Sequence, residues 1–349
     1  MNPNAYRIGG AFVLTALAGA AFAQTDTADK LAVNITLTDG KTTITRTRRE
    51  LGFQLNTRGG VQLFAIDPAA LKSALTRISP KFQQDAINAR LGLNQKQVTL
   101  VPGAYARKLD IEQTAKMLLD TVGADPTVTH FTVALTKTPP PVSDEKLQGI
   151  TAILGQMTTH TSAVPKRNIN IGIATQAIDG TLLAPGETFS LNHVVGERTQ
   201  ARGYRTATVF ENGLKTPGIG GGVSQVTGTL FNAAALAGLT IREVNPHSRP
   251  VAYLPLGRDA TVAYGTKDLK FTNNTGSPVY ISYTFQGNTL RAILFGAPVG
   301  NRQVTLTPRS RTLGEGKIRA ELYRTIRQDG KVVSKERLLR HLYQWRPGT

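Results

Sequence analysis

The sequence predicts an α+β fold in two parts, a small α+β module followed by a β-rich domain that holds a central helix and ends in a β-hairpin. Before residue 138, two helices with apolar residues at 3.6-residue spacing occur among strand-like segments. From about residue 150 the chain changes to short alternating strands and turn glycines, with one strongly apolar helix. This change in sequence pattern predicts two domains, which the length of 349 residues also favours.

Residues 1–23 have the pattern of a secretory signal peptide. Arg7 precedes an apolar run from Ile8 to Phe22, and Ala21-Phe22-Ala23 has the small-residue spacing of a cleavage site. The alternative interpretation is an uncleaved N-terminal anchor. From the signal-peptide pattern we predict a secreted or periplasmic protein of the cell envelope. The sequence contains no cysteine, which excludes a thiolate nucleophile, a cysteine metal ligand and a lipid-carrying cysteine.

Residues 31–138 are expected to form the α+β module. Residues 31–60 alternate like strands, and helical patterns follow Asp67 and Asp110, which are suitable N-cap residues. A strand is predicted from Thr129. Residues 139–149 begin with prolines and are predicted as a linker.

Residues 150–300 are expected to form the β-rich domain. A helix is predicted from Asn168, followed by a turn at Pro185-Gly186 that leads into a short strand. A hairpin is predicted around Asn212-Gly213, because this dipeptide favours a type I′ turn. A further β-rich segment begins at Ala260.

The sequence is strongly basic, with a net charge of +18 and an isoelectric point near 10.3. Residues 301–349 hold 12 Lys and Arg against 4 Asp and Glu, and they are predicted to form a basic β-hairpin that turns at Asp329-Gly330. In an exported chain this charge favours an anionic envelope polymer or a membrane surface, and no nucleic-acid-binding motif occurs. The alternative is a solvated basic face. No segment after the predicted signal peptide is apolar enough for a membrane span.

The segment GIGGGVSQVTGTLFNAAALAGL begins with glycines and continues as an apolar helix. Glycines allow either a tight turn or a close approach of backbone N–H groups to a ligand, so Gly220, Gly221 and Gly222 are candidates for binding an oxyanion or a carboxylate. Ser224 lies in the cap or first turn, where the helix dipole favours an activated nucleophile. Serine is also a common N-cap residue, so both interpretations stay open.

His247 is the histidine best placed to act with Ser224. It follows Ser224 by 23 residues, which lets the helix end and the chain return to the helix start, and it lies in a loop flanked by prolines. Asp259 or Asn245 would orient its ring, as the third member of a triad does. The alternatives are an ion pair of Asp259 with Arg258 and a turn at Asn245. The other histidines lack such a setting, and no cluster of ligands predicts a metal site.

Two arginines near His247 suit the carboxylates of a peptide, because the planar guanidinium binds carboxylates in a bidentate manner, although surface ion pairs are the alternative. The candidate catalytic residues are Ser224, His247 and Asp259. The candidate substrate-binding residues are Gly220, Gly221, Gly222, Gln225, Arg249 and Arg258. No metal and no cofactor are predicted.

The chain resembles the VanW family of bacterial envelope proteins in four strings that occur in the family's order. They are LAPGETFSLNHVVGERTQARGY, PGIGGGVSQVTGTLFNAAALAGL, HSRPVAYLPLGRDATVAYG and DLKFTNNTGSPVYI, between Ile150 and Phe285. Residues 31–138 resemble, more loosely, the peptidoglycan-binding domain that often precedes the core of this family and of some L,D-transpeptidases.

The resemblance implies work on the cell wall, in a family associated with glycopeptide-resistance clusters. Some members are held to be L,D-transpeptidases that join peptidoglycan stem peptides through a thioester on a cysteine. The family's usual G-G-G-V-C-Q-V string has Ser224 at the cysteine position here, whereas His247 matches the histidine of the H-S-R-P string. A serine is a weaker nucleophile than a thiolate unless a general base activates it.

Two classes of function follow from the sequence. The first is an exported binding protein, a pseudoenzyme whose partner is a peptidoglycan stem peptide or another anionic envelope polymer. The second is an acyl-transfer enzyme of the L,D-transpeptidase kind that uses Ser224 and His247. The sequence leaves open whether the protein is an enzyme. A hydrogen bond between Ser224 and His247 would favour the enzyme, and a capping role of Ser224 would favour binding.

Overall fold

The computed structural model describes residues 29–58, 61–95, 97–211 and 214–346. The predicted signal peptide, residues 1–23, lies outside the described residues. The described chain forms two compact units, one from residues 29–87 and 104–140 and the other from residues 88–103 and 141–346. Both units contain helices and strands, which confirms the α+β class.

The elements up to residue 138 are, in chain order, β1 (Asn34–Thr38), β2 (Thr43–Thr47), β3 (Phe53–Arg58), β4 (Val61–Ile66), α1 (Pro68–Ile78), β5 (Arg90–Asn94), β6 (Gln97–Val101), β7 (Ala106–Leu109), α2 (Ile111–Ala124), β8 (His130–Thr132) and β9 (Leu135–Thr138). The later elements are β10 (Ala152–His160), α3 (Pro165–Ile178), β11 (Thr181–Leu183), β12 (Thr188–Ser190), α4 (Leu191–Val195), β13 (Thr206–Glu211), β14 (Leu214–Ile219), α5 (Val223–Leu236), β15 (Thr240–Glu243), β16 (Lys270–Thr272), β17 (Val279–Gln286), β18 (Thr289–Gly296), β19 (Arg302–Gly314), β20 (Lys317–Gln328) and β21 (Lys331–Gln344).

Both helices of the first unit begin as the sequence predicts. The Asp67 side chain accepts hydrogen bonds from two backbone N–H groups of α1 at 2.8 and 3.3 Å, and Pro68 occupies the first helical position. Asp110 caps α2 in the same way, with one bond of 2.9 Å. The apolar faces of the two helices pack in one core with β1, where Leu71 and Leu118 are buried.

The strand predicted from Thr129 is two strands instead of one. β8 pairs in parallel with β1, whereas β9 pairs in antiparallel with β7. Between them, Ala134 N donates to Thr114 Oγ1 of α2 at 3.1 Å, and Ala134 O accepts a hydrogen bond from Asp110 N at 2.9 Å. The strand is interrupted because hydrogen bonds to α2 and its cap replace the ladder at this residue.

The β5–β6 hairpin belongs to the second unit, although its sequence lies inside that of the first. Gly103 N donates to Asp144 Oδ1 at 2.8 Å and so holds the end of the hairpin segment. Residues 139–149, predicted as a linker, supply part of the same core. That core buries Ala89, Leu91, Val142, Leu147, Ile150, Tyr280, Ile293 and Phe295.

The remaining local predictions for the second unit agree with the structure. The helix predicted from Asn168 is α3, and the turn at Pro185-Gly186 leads into β12. β13 and β14 pair along their length as the predicted hairpin, and residues 212–213 of its turn lie outside the described residues.

The central helix α5 is buried along nearly its whole length in the second unit. It packs on a sheet with the strand order β10-β18-β17-β11. Gly155 of β10 permits a close approach, because a Cβ there would lie 2.3 Å from Ala237 N and 2.5 Å from Ala233 O. Tyr283 Oη of β17 donates to Val226 O at 2.7 Å. These contacts fix the position of α5 and of the glycine turn at its start.

Strands β19, β20 and β21 form an antiparallel sheet in that order, which we call the C-terminal sheet. The predicted hairpin is confirmed as β20–β21, and the φ angles of 50° at Asp329 and 78° at Gly330 agree with a type I′ turn. β19 adds a third strand along nearly the whole of β20. The sheet packs on α5, where Arg324 Nη1 donates to Ala235 O and Leu239 O at 3.2 and 2.7 Å.

Candidate functional site

The glycine turn between β14 and α5 is held by a buried amide of α3. Asn170 Nδ2 donates to Gly221 O at 3.0 Å and to Arg205 O at 2.9 Å. A Cβ at Gly221 would lie 2.5 Å from Thr208 O, and Gly222 has a φ of 112°. Both positions therefore require glycine, one for close packing on β13 and the other for its backbone conformation.

The start of α5 presents several unpaired backbone donors. Within the described residues, the N–H groups of Gly221, Gly222 and Ser224 have no protein acceptor, whereas Gly220 N donates to Arg205 O at 3.2 Å. Gly222 is the N-cap residue, and no side chain caps the helix. An anion at this point would meet free N–H groups and the positive end of the helix dipole. Of the three glycines predicted to bind a ligand, Gly220 has no free N–H group, because that group is already bonded to Arg205 O.

Ser224 lies in the first turn of α5, as the sequence predicts, and is half-buried. Its Oγ forms a hydrogen bond of 3.0 Å with Thr261 Oγ1. Ser224 does not cap the helix, and in the described chain no hydrogen bond joins it to His247. The hydroxyl is therefore engaged by a neighbouring loop, and its geometry matches neither alternative that the sequence leaves open.

His247 and Asp259 form a buried dyad, with exposed fractions of 4% and 1%. Asp259 Oδ2 accepts hydrogen bonds from His247 N and from His247 Nδ1, both at 2.8 Å. The hydroxyl of Tyr343 on β21 donates to Asp259 Oδ1 and accepts a hydrogen bond from Gly257 N at 2.8 Å. Because Nδ1 is engaged, Nε2 is the nitrogen that remains for a ligand.

The surroundings of the dyad shift the pKa values of Asp259 and of the two β21 side chains that contact the dyad. Burial raises the pKa of Asp259, but hydrogen bonds from His247 and Tyr343 lower it by more, so the net pKa lies below its ordinary value. Burial, followed by the charge of Asp259, raises the pKa of Tyr343. Burial lowers the pKa of His341, whose Nε2 donates to His247 O at 2.8 Å. Asp259 is thus ionised at neutral pH, and β21 supports both members of the dyad.

Ser224 and His247 line one cleft of about 910 Å³ within the second unit. The charged side chains on its wall are Arg167, Arg198, Lys215, Arg249 and Glu197. Arg198 Nη1 donates to Asn192 Oδ1 at 2.6 Å, whereas the buried Nη2 has no partner in the described chain. Burial lowers the pKa of Arg167 and of Arg198, but a guanidinium stays protonated at neutral pH. The cleft is therefore suited to an anionic ligand.

The other predicted binding residues divide between this cleft and the core. Arg249 lines the cleft, with its guanidinium 5.8 Å from the ring centre of Phe210. Arg258 does not line it, because Arg258 Nε donates to Asn232 Oδ1 of α5 at 2.6 Å. Gln225 is buried and accepts a hydrogen bond from Arg167 Nη2 at 2.9 Å, so it positions a cation of the cleft.

Sequence reasoning missed two arginines of the cleft, which lie against the glycine turn, and the tyrosine that bonds to Asp259. Arg167 and Arg198 precede the glycine turn by many residues, and Tyr343 lies near the end of the chain. The string GERTQARGY, part of the family resemblance, contains Arg198 and was the available indication. No local pattern indicates Tyr343, because only strand pairing brings β21 to Asp259.

A family model described as "VanW like protein" matches residues 166–295, which hold the glycine turn, α5, His247 and Asp259. The chain carries a VanW-like domain. A second model, described as "Putative peptidoglycan binding domain", matches residues 18–130. The VanW-like domain therefore follows a peptidoglycan-binding domain, in the order that the sequence predicts. The second match includes the β5–β6 hairpin, which folds with the VanW-like domain.

Two curated relatives match part of the chain at moderate identity. The chain is 39% identical over 184 residues to the uncharacterized protein YoaR of Bacillus subtilis, which covers 52% of this chain and 61% of YoaR. It is 30% identical over 131 residues to the vancomycin B-type resistance protein VanW of Enterococcus faecalis, which covers 36% of this chain and 48% of that protein. The chain thus spans about half to three fifths of these relatives. No solved structure matches the chain significantly.

The part of the chain that the structure describes contains neither a membrane-spanning helix nor a cluster of metal ligands. None of its helices is long and apolar enough to cross a bilayer. None of its histidine and carboxylate side chains gather in groups of three or more that could hold a metal ion.

Proposed function

We propose that the VanW-like domain binds the carboxylates of peptidoglycan stem peptides in the cleft at the start of α5. The observation that carries this proposal is the convergence of three unpaired N–H groups, at Gly221, Gly222 and Ser224, with the cationic side chain of Arg198 on one cleft. Such donors suit a carboxylate, since charge-assisted hydrogen bonds from amides and guanidinium groups are the strong ones.

The partner class rests on the two domains. A VanW-like domain and a peptidoglycan-binding domain in one chain suggest a cell-wall-associated protein in the envelope. Stem peptides end in carboxylates and are fixed in that polymer. The excess of cations over the single carboxylate of Glu197 on the cleft wall supports an acidic peptide as the ligand.

Ser224 fits a binding role in this proposal. Its Oγ pairs with Thr261 Oγ1, so the hydroxyl is not activated by His247 in this arrangement. An unactivated hydroxyl is a poor nucleophile but a good hydrogen-bond donor. The site would therefore hold a stem peptide without forming an acyl intermediate, as a pseudoenzyme.

The test uses sedimentation with purified peptidoglycan sacculi and titration with a synthetic stem tetrapeptide. The free-acid peptide should bind at least about tenfold more tightly than the same peptide with an amidated C-terminus, because one charge-assisted contact contributes roughly 1.5–3 kcal/mol. Arg198→Gln should remove this preference. The matched control is Arg202→Gln, an exposed cation near Arg198 that does not line the cleft. Equal binding of acid and amide by the unchanged protein would refute the carboxylate site.

A second function, acyl transfer between stem peptides, is favoured by the buried His247–Asp259 dyad. In that reaction Ser224 Oγ would attack a stem carbonyl and pass its proton to His247 Nε2, which would return it to the departing amine. The amine of a second stem would then attack the acyl-serine and release Ser224. The unpaired N–H groups at the start of α5 would hold the oxyanion.

A muropeptide profile separates the two functions. A deletion strain complemented with the unchanged protein or with Ser224→Ala would be compared for 3-3 cross-links. Acyl transfer requires that these cross-links disappear only with Ser224→Ala. Equal profiles, together with retained sacculus binding by Ser224→Ala, are the result expected of the binding protein.

A further inference from the structure

The C-terminal sheet has two faces of opposite character. Cross-strand partners in an antiparallel sheet share a face, so the register assigns every side chain to one side. On the side of α5, Leu322, Arg324, Leu339 and Tyr343 are buried. The opposite side, which we call the outer face, carries the alternate residues of each strand, and all of them are exposed or half-exposed.

The outer face is a concentrated patch of positive charge. Its cations are Arg309 and Arg311 on β19, Lys317, Arg319 and Arg327 on β20, and Lys335, Arg337 and Arg340 on β21. Its one carboxylate is Glu321, which lies 3.4 Å from Arg337 Nη1 and 3.6 Å from Arg340 Nε. In the described chain the other six cations form no ion pair.

These cations are arranged as a ladder. Each outer-face residue of β20, together with its partners on β19 and β21, forms one row across the sheet. The six rows have Lys317, Arg319, Glu321, Tyr323, Thr325 and Arg327 as their β20 members, and every row contains at least one Lys or Arg. Rows two residues apart are separated by about 6.8 Å, and three strands span about 10 Å, so the patch is a strip roughly 34 Å long. Its charges repeat along one direction instead of gathering around a pocket.

We propose that the outer face binds a linear polyanion of the envelope that carries one phosphodiester in each repeat and lies along β20. A long, narrow ladder of charge fits an extended chain better than a compact anion. Six of the eight cations are arginines, and the planar guanidinium matches phosphate oxygens. The half-exposed ring of Tyr323, with Arg309 at 5.2 Å, gives the middle of the strip a flat surface.

A bilayer fits this face less well. The large exposed apolar side chains of the C-terminal sheet are Leu313 and Leu342 near one end of the strip and Val332 and Val333 near the other, so they form no continuous patch that could insert. The proposed surface also lies outside the cleft, so it does not depend on the proposed stem-peptide site.

The test measures binding of the full chain to poly(glycerol phosphate) across a salt series. We compare the unchanged protein with Arg309→Gln/Arg311→Gln/Arg319→Gln, three exposed positions whose loss should not unfold the sheet. The logarithm of the affinity should fall linearly with the logarithm of the salt concentration, and the triple variant should reduce this slope by about 2. At low salt its affinity should be at least tenfold lower. Binding of the stem peptide in the cleft should be unchanged.

The matched control is Lys41→Gln/Lys81→Gln/Lys137→Gln, which removes the same charge from exposed positions of the first unit. This control should keep the slope and most of the affinity. An equal loss in both triple variants would show that only net charge matters and would overturn the proposal. Preferred binding to phosphatidylglycerol vesicles, or to single-stranded DNA of equal charge, would overturn it in favour of a membrane or a nucleic acid.

Discussion

The carboxylate of Asp259 is the side chain on which the geometry of the cleft depends. An ionised carboxylate that is almost fully buried costs several kcal/mol unless it is paired. Asp259 accepts hydrogen bonds from the backbone and the ring of His247 and from the hydroxyl of Tyr343. The ring of His247 is therefore fixed by two residues that do not line the cleft.

Replacing Tyr343 with phenylalanine should loosen this arrangement. The change leaves Asp259 Oδ1 and Gly257 N without a partner, so we expect the free energy of unfolding to fall by about 1–3 kcal/mol at neutral pH. The difference in the free energy of unfolding between this variant and the unchanged protein should decrease as the pH falls below about 4. The reason is that a carboxylate with a lowered folded pKa contributes stability only above that pKa. Urea unfolding between neutral and acidic pH measures both effects.

The control for this change is Tyr323→Phe on the outer face of the C-terminal sheet. Its hydroxyl donates to the partly exposed Glu321 at 3.0 Å, so its loss should cost less than about 1 kcal/mol. A Tyr343→Phe protein as stable as this control at every pH would mean that Asp259 does not need the tyrosine.

Replacing Ser224 with cysteine should create a reactive thiol. The unpaired N–H groups and the positive dipole at the start of α5 favour a thiolate, as do the nearby guanidinium groups of the cleft. The rate of iodoacetamide labelling against pH should give an apparent pKa well below about 8.5. The chain has no other cysteine, so the label reports this site alone.

Two further variants determine the cause of such a shift. Gln286→Cys, at the exposed end of β17, should titrate like an ordinary thiol. Adding His247→Ala to Ser224→Cys should raise the pKa if the imidazole contributes. An ordinary pKa at position 224 would contradict a functional anion site and would remove the support for acyl transfer.

At the scale of the elements, the site is positioned by the close packing of α5 on β10. Gly155→Ala would place a methyl group within 2.5 Å of the backbone of α5, where no side chain can move aside. We expect it to lower the free energy of unfolding by about 3 kcal/mol and to weaken ligand binding in the cleft. Thermal unfolding measures the first effect and peptide titration the second.

Gly172→Ala in α3 is the matched control for the packing change. A Cβ there would meet only Phe285, at 4.0 Å, and alanine is favoured over glycine inside a helix. This variant should be as stable as the unchanged protein or slightly more stable. A Gly155→Ala protein that behaves in the same way would mean that β10 and α5 are further apart than described.

The elements that the sequence predicted are those with local causes. Asp67 and Asp110 cap their helices with their own side chains, and the Asp329-Gly330 turn has its own positive φ angles. The missed features have distant causes. β19 is too polar to be recognised without β20 beside it, and the predicted strand from Thr129 breaks where Ala134 bonds to α2.

The same distinction applies to the candidate site. The glycine turn, the start of α5 and His247 could be located from sequence, since a local string and a family resemblance contain them. Their partners could not be predicted. Thr261 on Ser224 and Tyr343 on Asp259 depend on how loops and strands far apart in sequence meet. The domain boundaries and catalysis by Ser224 stay predictions.

At the scale of the whole molecule, the stability of the second unit should depend on a hairpin that lies inside the sequence of the first. Leu91 is buried with Tyr280 and Phe295, whereas Leu100 on the same hairpin is 43% exposed. Leu91→Ala should destabilise the second unit by about 2–4 kcal/mol and Leu100→Ala by much less. The single tryptophan, Trp345, lies in the second unit, so its fluorescence reports that unit.

The outcome of this pair has a direct structural meaning. A lower midpoint of the Trp345 transition with Leu91→Ala, and an unchanged one with Leu100→Ala, is the expected result. If Leu91→Ala leaves the midpoint of the Trp345 transition unchanged, the hairpin does not fold with the VanW-like domain, and residues 88–103 belong to the first unit.

The position of this hairpin also sets an order of events during synthesis. Leu91 leaves the ribosome almost 190 residues before Tyr280, its partner in the core. At typical elongation rates this interval lasts about 10 to 40 seconds. During the later part of that time the apolar side of this hairpin can pack only on the core residues already made, Val142, Leu147 and Ile150, and its contacts with β17 and β18 are still missing. The growing chain therefore has to keep this segment from pairing with other strands until β17 and β18 have been made.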